Sequence, residues 1–410
     1  MSDCLTAAQE HKKVGNDAFA AGDIDKALTA WGTAAEILRQ ETALDPACTS
    51  LLVACLSNAS QAYLGRCDYT NAYRFANEAI LVEASHEKSL LRRQTAQHGL
   101  HAEESKQAGN RHFAEGKWTE ARAAYDKAME SLYHIEAARS PLMVTCLSNA
   151  AQCCINSRNY TVAIAYAESA LSIDPGHEKS KSRKELATEK KIQREQMLAQ
   201  VSYGGDLLDH CEADWRGDRD VVLAAVSQYG CALRFAHTDL RGDRDIVMAA
   251  VKNSGDALRF ADEVLRRDRD IVLAAVTNDG RALQYASDER MTSDRDIVLR
   301  AVASDGCSLV HAVTSLREDY EVVLRAVEQD GYALNFAAKP LQGAKDIVMV
   351  AVKQTGHALR YASAEMRRDR EVVEAAVRQD AQAWLYADSC LRQDAELIRL
   401  ANINPTDRMA

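Results

Sequence analysis

Two sets of five residues in the first half of the chain have types and spacing suited to holding an anion. One set is Lys12, Asn16, Asn58, Lys88 and Arg92, and the other is Lys106, Asn110, Asn149, Lys179 and Arg183. Within each set, the first two and the last two residues are four positions apart, so each pair shares a face if its segment is helical. Brought into one groove, each set offers two amides, two ammonium groups and one guanidinium, a density of donors that suits only an anionic ligand.

The elements that must position them are legible as a duplication. KKVGNDAFAAGDIDKALTAWGTAAEIL runs from Lys12 and KQAGNRHFAEGKWTEARAAYDKAMESL from Lys106. Each reads as a helix, a break at Gly22 or Gly116, and a second helix with alanines flanking Trp31 or Tyr125. Small residues let two helices approach closely while the aromatic ring fills the gap, which predicts a helical hairpin. A related hairpin follows each one, and then a further helix that starts at HEKSLLRR or HEKSKSRK. Asn58 to Lys88 and Asn149 to Lys179 have the same spacing, and the copies differ by three residues in a loop that carries Pro46 in one and Pro141 in the other.

These segments resemble tetratricopeptide (TPR) modules over approximately residues 6 to 200, through the small, Gly, small, aromatic pattern of that repeat. They depart from it at Ala18 and His112, where the first helix of the repeat usually has Tyr. In such modules the first helices of successive repeats line a groove, and both five-residue sets match the dicarboxylate clamp of TPR co-chaperones. The resemblance implies a ligand that ends in Asp: the acidic C-terminal tails of the cytosolic seventy- and ninety-kilodalton heat-shock chaperones. A free C-terminus beside an acidic side chain presents two anions, and charge-assisted hydrogen bonds to them contribute roughly 1.5–3 kcal/mol each. Phe19 and Phe113, three residues after the first asparagine of each set, either wall a pocket for the ligand or pack between helices. The break-free stretch from Lys179 to Gln200 continues the last TPR helix as a solvated connector.

The second half has a shorter period. Asp220, Asp245, Asp270, Asp296, Glu321, Asp346 and Glu371 open apolar runs at intervals of 25 residues, with one interval of 26. Glu396 with LIRLAN begins a truncated eighth repeat. Each repeat reads as a short helix, a Gly taken to permit a left-handed residue (Ala381 in the last), and a second short helix. Such pairs fold only when stacked, which predicts a second helical solenoid. One aromatic per repeat (Phe235, Phe260, Tyr285, Phe336, Tyr361, Tyr386, interrupted by His311) reads as the stacked core. The column Arg219, Arg244, Arg269, Arg295, Lys345 and Arg370 lies between acids, which favours ladders between neighbouring repeats and leaves a binding surface open. With its Asp-Arg-Asp start and Gly-x-Ala-Leu turn, the array resembles a short helical-repeat family of unknown function.

The fold class expected is therefore all-α: a first TPR module over 6–100, a second with its connector over 101–200, and the repeat array over 205–400. Hydrophobic residues make up 47% of the 410 and aromatics 6%, with 5 prolines, in keeping with helices throughout. The net charge of −10 opposes a general nucleic-acid binder, and no apolar stretch reaches the ~18 residues of a membrane span. The 11 cysteines follow no metal or disulfide spacing and suit a reducing, cytoplasmic setting. With no phosphate loop and no nucleophile beside a base, an adaptor that needs no cofactor is expected, not an enzyme. The array would recruit a client or other partner. The competing expectation is a general TPR scaffold that takes internal peptides.

Overall fold

The structure, a computed structural model, describes residues 3–40, 45–135 and 140–401. Met1, Asn402, Pro405 and the loop in which the two modules differ in length (41–44 and 136–139) lie outside the described residues. All described regular structure is helical, in two compact units, Met1–Ile192 and Gln193–Ala410.

The N-terminal unit contains α1 (Asp3–Ala20), α2 (Ile24–Arg39), α3 (Pro46–Gly65), α4 (Tyr69–Val82), α5 (Glu87–Ala114), α6 (Trp118–Tyr133), α7 (Pro141–Asn156), α8 (Tyr160–Ile173) and the start of α9 (Glu178–Tyr203). Side-chain caps and prolines fix where the helices begin. Asp45 and Ser140 accept from the backbone N–H of Cys48 (2.7 Å) and Met143 (3.2 Å), with Pro46 and Pro141 in the first helical turn. The hairpins turn on Gly22 (φ 83°) and Gly116 (φ 74°), and in the second hairpins Cys67 (φ 59°) and Arg158 (φ 60°) take the same left-handed conformation. A Cβ on Gly109 would come within 2.7 Å of the Tyr125 ring, so the missing side chain is what lets α1-type and α2-type helices close around their aromatic. Helices α1, α3, α5 and α7 touch in succession and form one layer, backed by α2, α4, α6 and α8.

Helix α5 is unbroken for 28 residues, so the division expected near residue 100 falls inside it. Lys88 and Lys106, and likewise Arg92 and Asn110, are 18 residues apart on α5. That is five helical turns, about 27 Å, so both pairs occupy one face.

In the C-terminal unit each repeat from Arg219 to Tyr386 is a ten-residue α-helix such as Arg244–Asn253, then a six-residue 3₁₀ helix such as Gly255–Phe260, with a single short turn before the next. The second element is thus tighter and shorter than an α-helix. Its glycines also have a different reason from the one expected: among the described glycines only Gly22 and Gly116 have positive φ. A Cβ on Gly255 would lie 2.5 Å from the carbonyl oxygen of Ala275 in the next repeat, and one on Gly356 would lie 2.6 Å from that of Ala376. Glycine is required for this close approach. Ala381 is tolerated where the following helix stops at Leu400.

The core also differs from expectation. Fully buried Val, Ile, Ala and Leu form it, for example Ile246, Val247, Ala250, Val251 and Leu258, whereas the aromatic column is half-buried and packs on its side. Arg234, Arg259 and Arg360 lie over the rings of Phe235, Phe260 and Tyr361 at 4.5–4.9 Å. His311, half-buried in that column, is held below its ordinary pKa by burial, in keeping with a neutral substitution.

The acid-Arg-acid triplets form a ladder. Each Arg reaches the helix-capping Asp of the next repeat and the acid two residues beyond: Arg219 to Asp243 (2.9 Å) and Asp245 (2.7 Å), Arg244 to Asp268 (3.3 Å) and Asp270 (2.8 Å), Arg269 to Asp294 (2.7 Å) and Asp296 (3.1 Å). Where Tyr320 replaces the Arg, Ala344 replaces the Asp, and the tyrosine hydroxyl donates to Asp346. The ladder starts one repeat before the first acidic signature. Arg194, on α9, pairs with the buried Asp218 (2.7 Å) and with Asp220 (2.6 Å), and Arg194–Cys211 follows the course of Arg219–Ala236. The far end of the expected connector is therefore itself a repeat.

Candidate functional site

The N-terminal unit places the ten residues in two like groups. Lys12 and Asn16 lie on α1, Asn58 on α3, and Lys88 and Arg92 on α5; Lys106 and Asn110 lie on α5, Asn149 on α7, and Lys179 and Arg183 on α9. Exposure repeats residue for residue: the first Lys, the second Asn and the Arg are half-buried, while the first Asn and the second Lys are exposed.

Hydrogen bonds decide which end of each asparagine faces outward. The Asn16 carbonyl oxygen accepts from Trp31 Nε1 (3.1 Å) and from Asn58 Nδ2 (3.2 Å). In the second group the Asn110 oxygen accepts from the Tyr125 hydroxyl (2.7 Å) and from Asn149 Nδ2 (3.5 Å). With both lone pairs of the oxygen engaged, the amide NH₂ of Asn16 and Asn110 is what remains for a ligand. Trp31 and Tyr125, which the hairpin pattern marked as packing residues, thus also orient the site.

The arginines are braced by neutral acceptors. Arg92 donates to Gln61 Oε1 (3.0 Å) and to the Ser57 hydroxyl. Arg183 donates to Gln152 Oε1 (3.1 Å), Ser148 Oγ (2.6 Å) and Asn149 Oδ1 (3.4 Å). Burial holds both guanidinium groups below their ordinary pKa; at Arg183 the Cys153 thiol and the Tyr125 hydroxyl oppose that shift in part. Ser57, Gln61, Ser148 and Gln152 were missed from the sequence, although their signal was present: LSNASQ and LSNAAQ keep Ser and Gln at matching positions around each asparagine.

Among the described residues, none of Lys12, Lys88, Arg92, Lys106, Lys179 and Arg183 has a carboxylate at ion-pair distance. Their neighbours on α9 do: Lys181 pairs with Glu178 (2.7 Å) and Lys184 with Glu168 (3.0 Å). Lys12 and Lys106 act at equivalent places, each partly offsetting the burial that pushes the Cys55 thiol up to about 11 and the Cys146 thiol up to about 12. Lys88 and Arg92 also border a cavity of about 560 Å³ walled in part by Gln61, Leu64, Tyr69 and Leu91. Phe19 stacks at a tilt on Trp31 (centroids 5.5 Å) yet is 40% exposed, and Phe113 meets Trp118 edge-on (4.9 Å). Cys153 is buried, and that burial pushes its thiol up to about 11. Among the described residues no cluster of His, Cys, Asp or Glu could hold a metal ion, and no helix is long and apolar enough to cross a membrane.

A family described as a domain of unknown function (DUF4116) matches residues 194–241, 243–290, 294–342 and 345–401, and its first match starts at the Arg194 repeat. No curated protein matches the chain. Among solved structures, the TPR2AB domain of yeast Sti1 in a pHSP90 complex is 17% identical, covering 48% of this chain and 88% of that one (TM-score 0.20). Yeast Tom70 is 14% identical, covering 96% and 95% (TM-score 0.20). A tetratricopeptide repeat protein from Parabacteroides merdae is 12% identical, covering 72% and 97% (TM-score 0.19). By its own helix pairing the chain is an all-α helical-repeat solenoid.

Proposed function

We propose that the chain is a non-enzymatic, cytoplasmic adaptor whose two TPR modules, 6–100 and 101–200, each grip the acidic C-terminal tail of a heat-shock chaperone of the seventy- or ninety-kilodalton class. The observation that carries this reading is the surplus of donors. Six cations lack carboxylate partners among the described residues, and the Asn16 and Asn110 carbonyl oxygens are already engaged. Each groove therefore asks for acceptors and negative charge, and a C-terminal Asp brings both in two carboxylates. The two carboxylates would share Lys12, Asn16, Asn58, Lys88 and Arg92 in one module, and Lys106, Asn110, Asn149, Lys179 and Arg183 in the other.

The shared face of α5 sets the two grips about 27 Å apart along its axis. A dimeric partner with two flexible tails can span that distance, and the second tail then binds at an effective concentration in the mM range. The array, 205–400, holds a client or other partner in this reading.

The test is calorimetry on the full chain with an acidic tail peptide in free-acid and C-terminally amidated forms. Amidation removes one anion and is expected to weaken binding by at least tenfold, the equivalent of roughly 1.5 kcal/mol. Equal affinity for the two forms would favour the scaffold reading, in which the grooves take internal peptides.

A further inference from the structure

The exposed side of the ten-residue helices in the C-terminal unit carries an unassigned surface. Leu223, Met248, Leu273, Leu299, Leu324 and Met349 fall at the same position of successive repeats, and all are half-buried at the edge of the core. Cavities open along this row at the same repeat position: one against Met248 and Leu273, one of about 720 Å³ against Leu273, Leu299 and Leu324, and one against Met349. The apolar row is thus the floor of a groove that recurs from repeat to repeat. One wall is acidic, because each ladder cation meets two carboxylates, leaving one negative charge per repeat. The outer acids Asp245, Asp270, Asp296 and Glu321 keep 69–79% of their side-chain surface exposed. The other wall carries Lys252, Arg300 and Arg325, the last paired with Glu328.

Spacing selects the occupant. Packed helices lie about 8–10 Å apart, so the floor residues recur at that interval. A polyproline II segment advances about 9.3 Å per turn of three residues, so one turn matches one repeat. The geometry points to this groove as the docking site for an extended partner segment of about 15 residues, with an apolar side chain every third position and Lys or Arg beside it. The apolar residues sit on the Leu/Met floor, the basic ones face the acidic wall, and the third, uncharged residue faces the basic wall. This gives the array's partner-holding role a surface and a ligand chemistry; it rests on that role and is independent of the clamps.

The probe is a fluorescein-labelled peptide of five Leu-Lys-Pro triplets, titrated into the full chain by fluorescence anisotropy beside a Leu-Glu-Pro peptide of equal length. The Lys peptide is expected to bind at least tenfold tighter than the Glu peptide and to lose affinity as salt rises. Leu299→Ser with Leu324→Ser is expected to weaken it at least tenfold with an unchanged circular dichroism spectrum, and Lys88→Ala with Lys179→Ala to leave it unchanged. Should the leucine variant unfold, the Lys/Glu comparison on the unaltered chain decides alone. Equal binding of the two peptides, no binding of either, or loss of binding only in the lysine variant would overturn the proposal. So would sedimentation showing that the chain self-associates through Leu299 and Leu324 and that the peptide does not compete, since a second copy would then be the occupant.

Discussion

Arg183 and Arg194 lie 11 residues apart on α9 and keep opposite company. Arg183 is braced by Ser148, Gln152 and Asn149, all neutral, whereas Arg194 sits between Asp218 and Asp220. The contrast holds across both units. The six cations of the two N-terminal groups have no described carboxylate partner, and the ladder cations have two each, apart from the rung that Tyr320 replaces. A guanidinium held by neutral acceptors keeps its charge available to a ligand, and one held by acids spends it on the fold. Counting Lys and Arg in either half would not have separated these uses.

Glycine separates the units most strongly. Gly255→Ala would drive a methyl into the backbone of the next repeat and should lower stability by about 3 kcal/mol. Gly32→Ala, within α2 with nothing inside 4 Å, should instead raise it by about 0.5–1 kcal/mol. Chemical denaturation of the two variants measures both, and a neutral Gly255→Ala would mean the repeats are not in backbone contact.

Breaking the ladder where it is most buried comes next. Arg194→Ala leaves Asp218, 2% exposed, without its cation and should cost about 2 kcal/mol, below the usual range for buried pairs because Arg194 is a quarter exposed. Amide exchange should show the loss at the start of the array first. Uniform destabilisation of both units would argue against a local pair.

Acid should sharpen the same difference. Hydrogen bonds from Arg269, Arg295 and Lys345 hold the carboxyls of Asp294, Asp319 and Asp369 below the usual 3.8, against the opposing effect of burial. Groups lowered on folding contribute stability that is present above pH 3.8 and lost as pH falls through their folded values. Protection of the array's amides, taken relative to unstructured peptide at each pH, should therefore fall below about pH 3.8. Earlier loss of protection in the N-terminal unit would contradict the ladder's role. The smallest effect is at the turns: Cys67→Gly relieves a left-handed non-glycine residue and should stabilise by about 0.5 kcal/mol, while Gly22→Ala should do the reverse, both read from thermal melts.

Much of this was legible before any coordinates. The duplicated hairpins and the 25-residue period follow from spacing, because helical faces and repeats are periodic, whereas the ten residues that form two like groups were singled out by their donor types together with the resemblance to TPR modules. Other features depend on contacts between repeats. Gly255 looks like a helix-ending glycine in sequence, and only its approach to Ala275 shows that space, not φ, is what it supplies. The Arg194 repeat was hidden because Gln193 stands where later repeats have their capping Asp and α9 runs into it without a break. The aromatic column was assigned to the core because one ring per repeat is a core-like signal. Its rings sit at the edge, where cations cover them, and the smaller Val, Ile and Ala side chains fill the space between helices.

Under the proposed function, two separate grooves each take one terminal carboxylate pair. Calorimetric titration of an acidic C-terminal peptide into the unaltered chain, Lys88→Ala, Lys179→Ala and the double variant tests it most directly. Two bound peptides, one, one and none, respectively, are expected at concentrations that saturate an intact groove. A single site in the unaltered chain, or two sites surviving in the double variant, would contradict it.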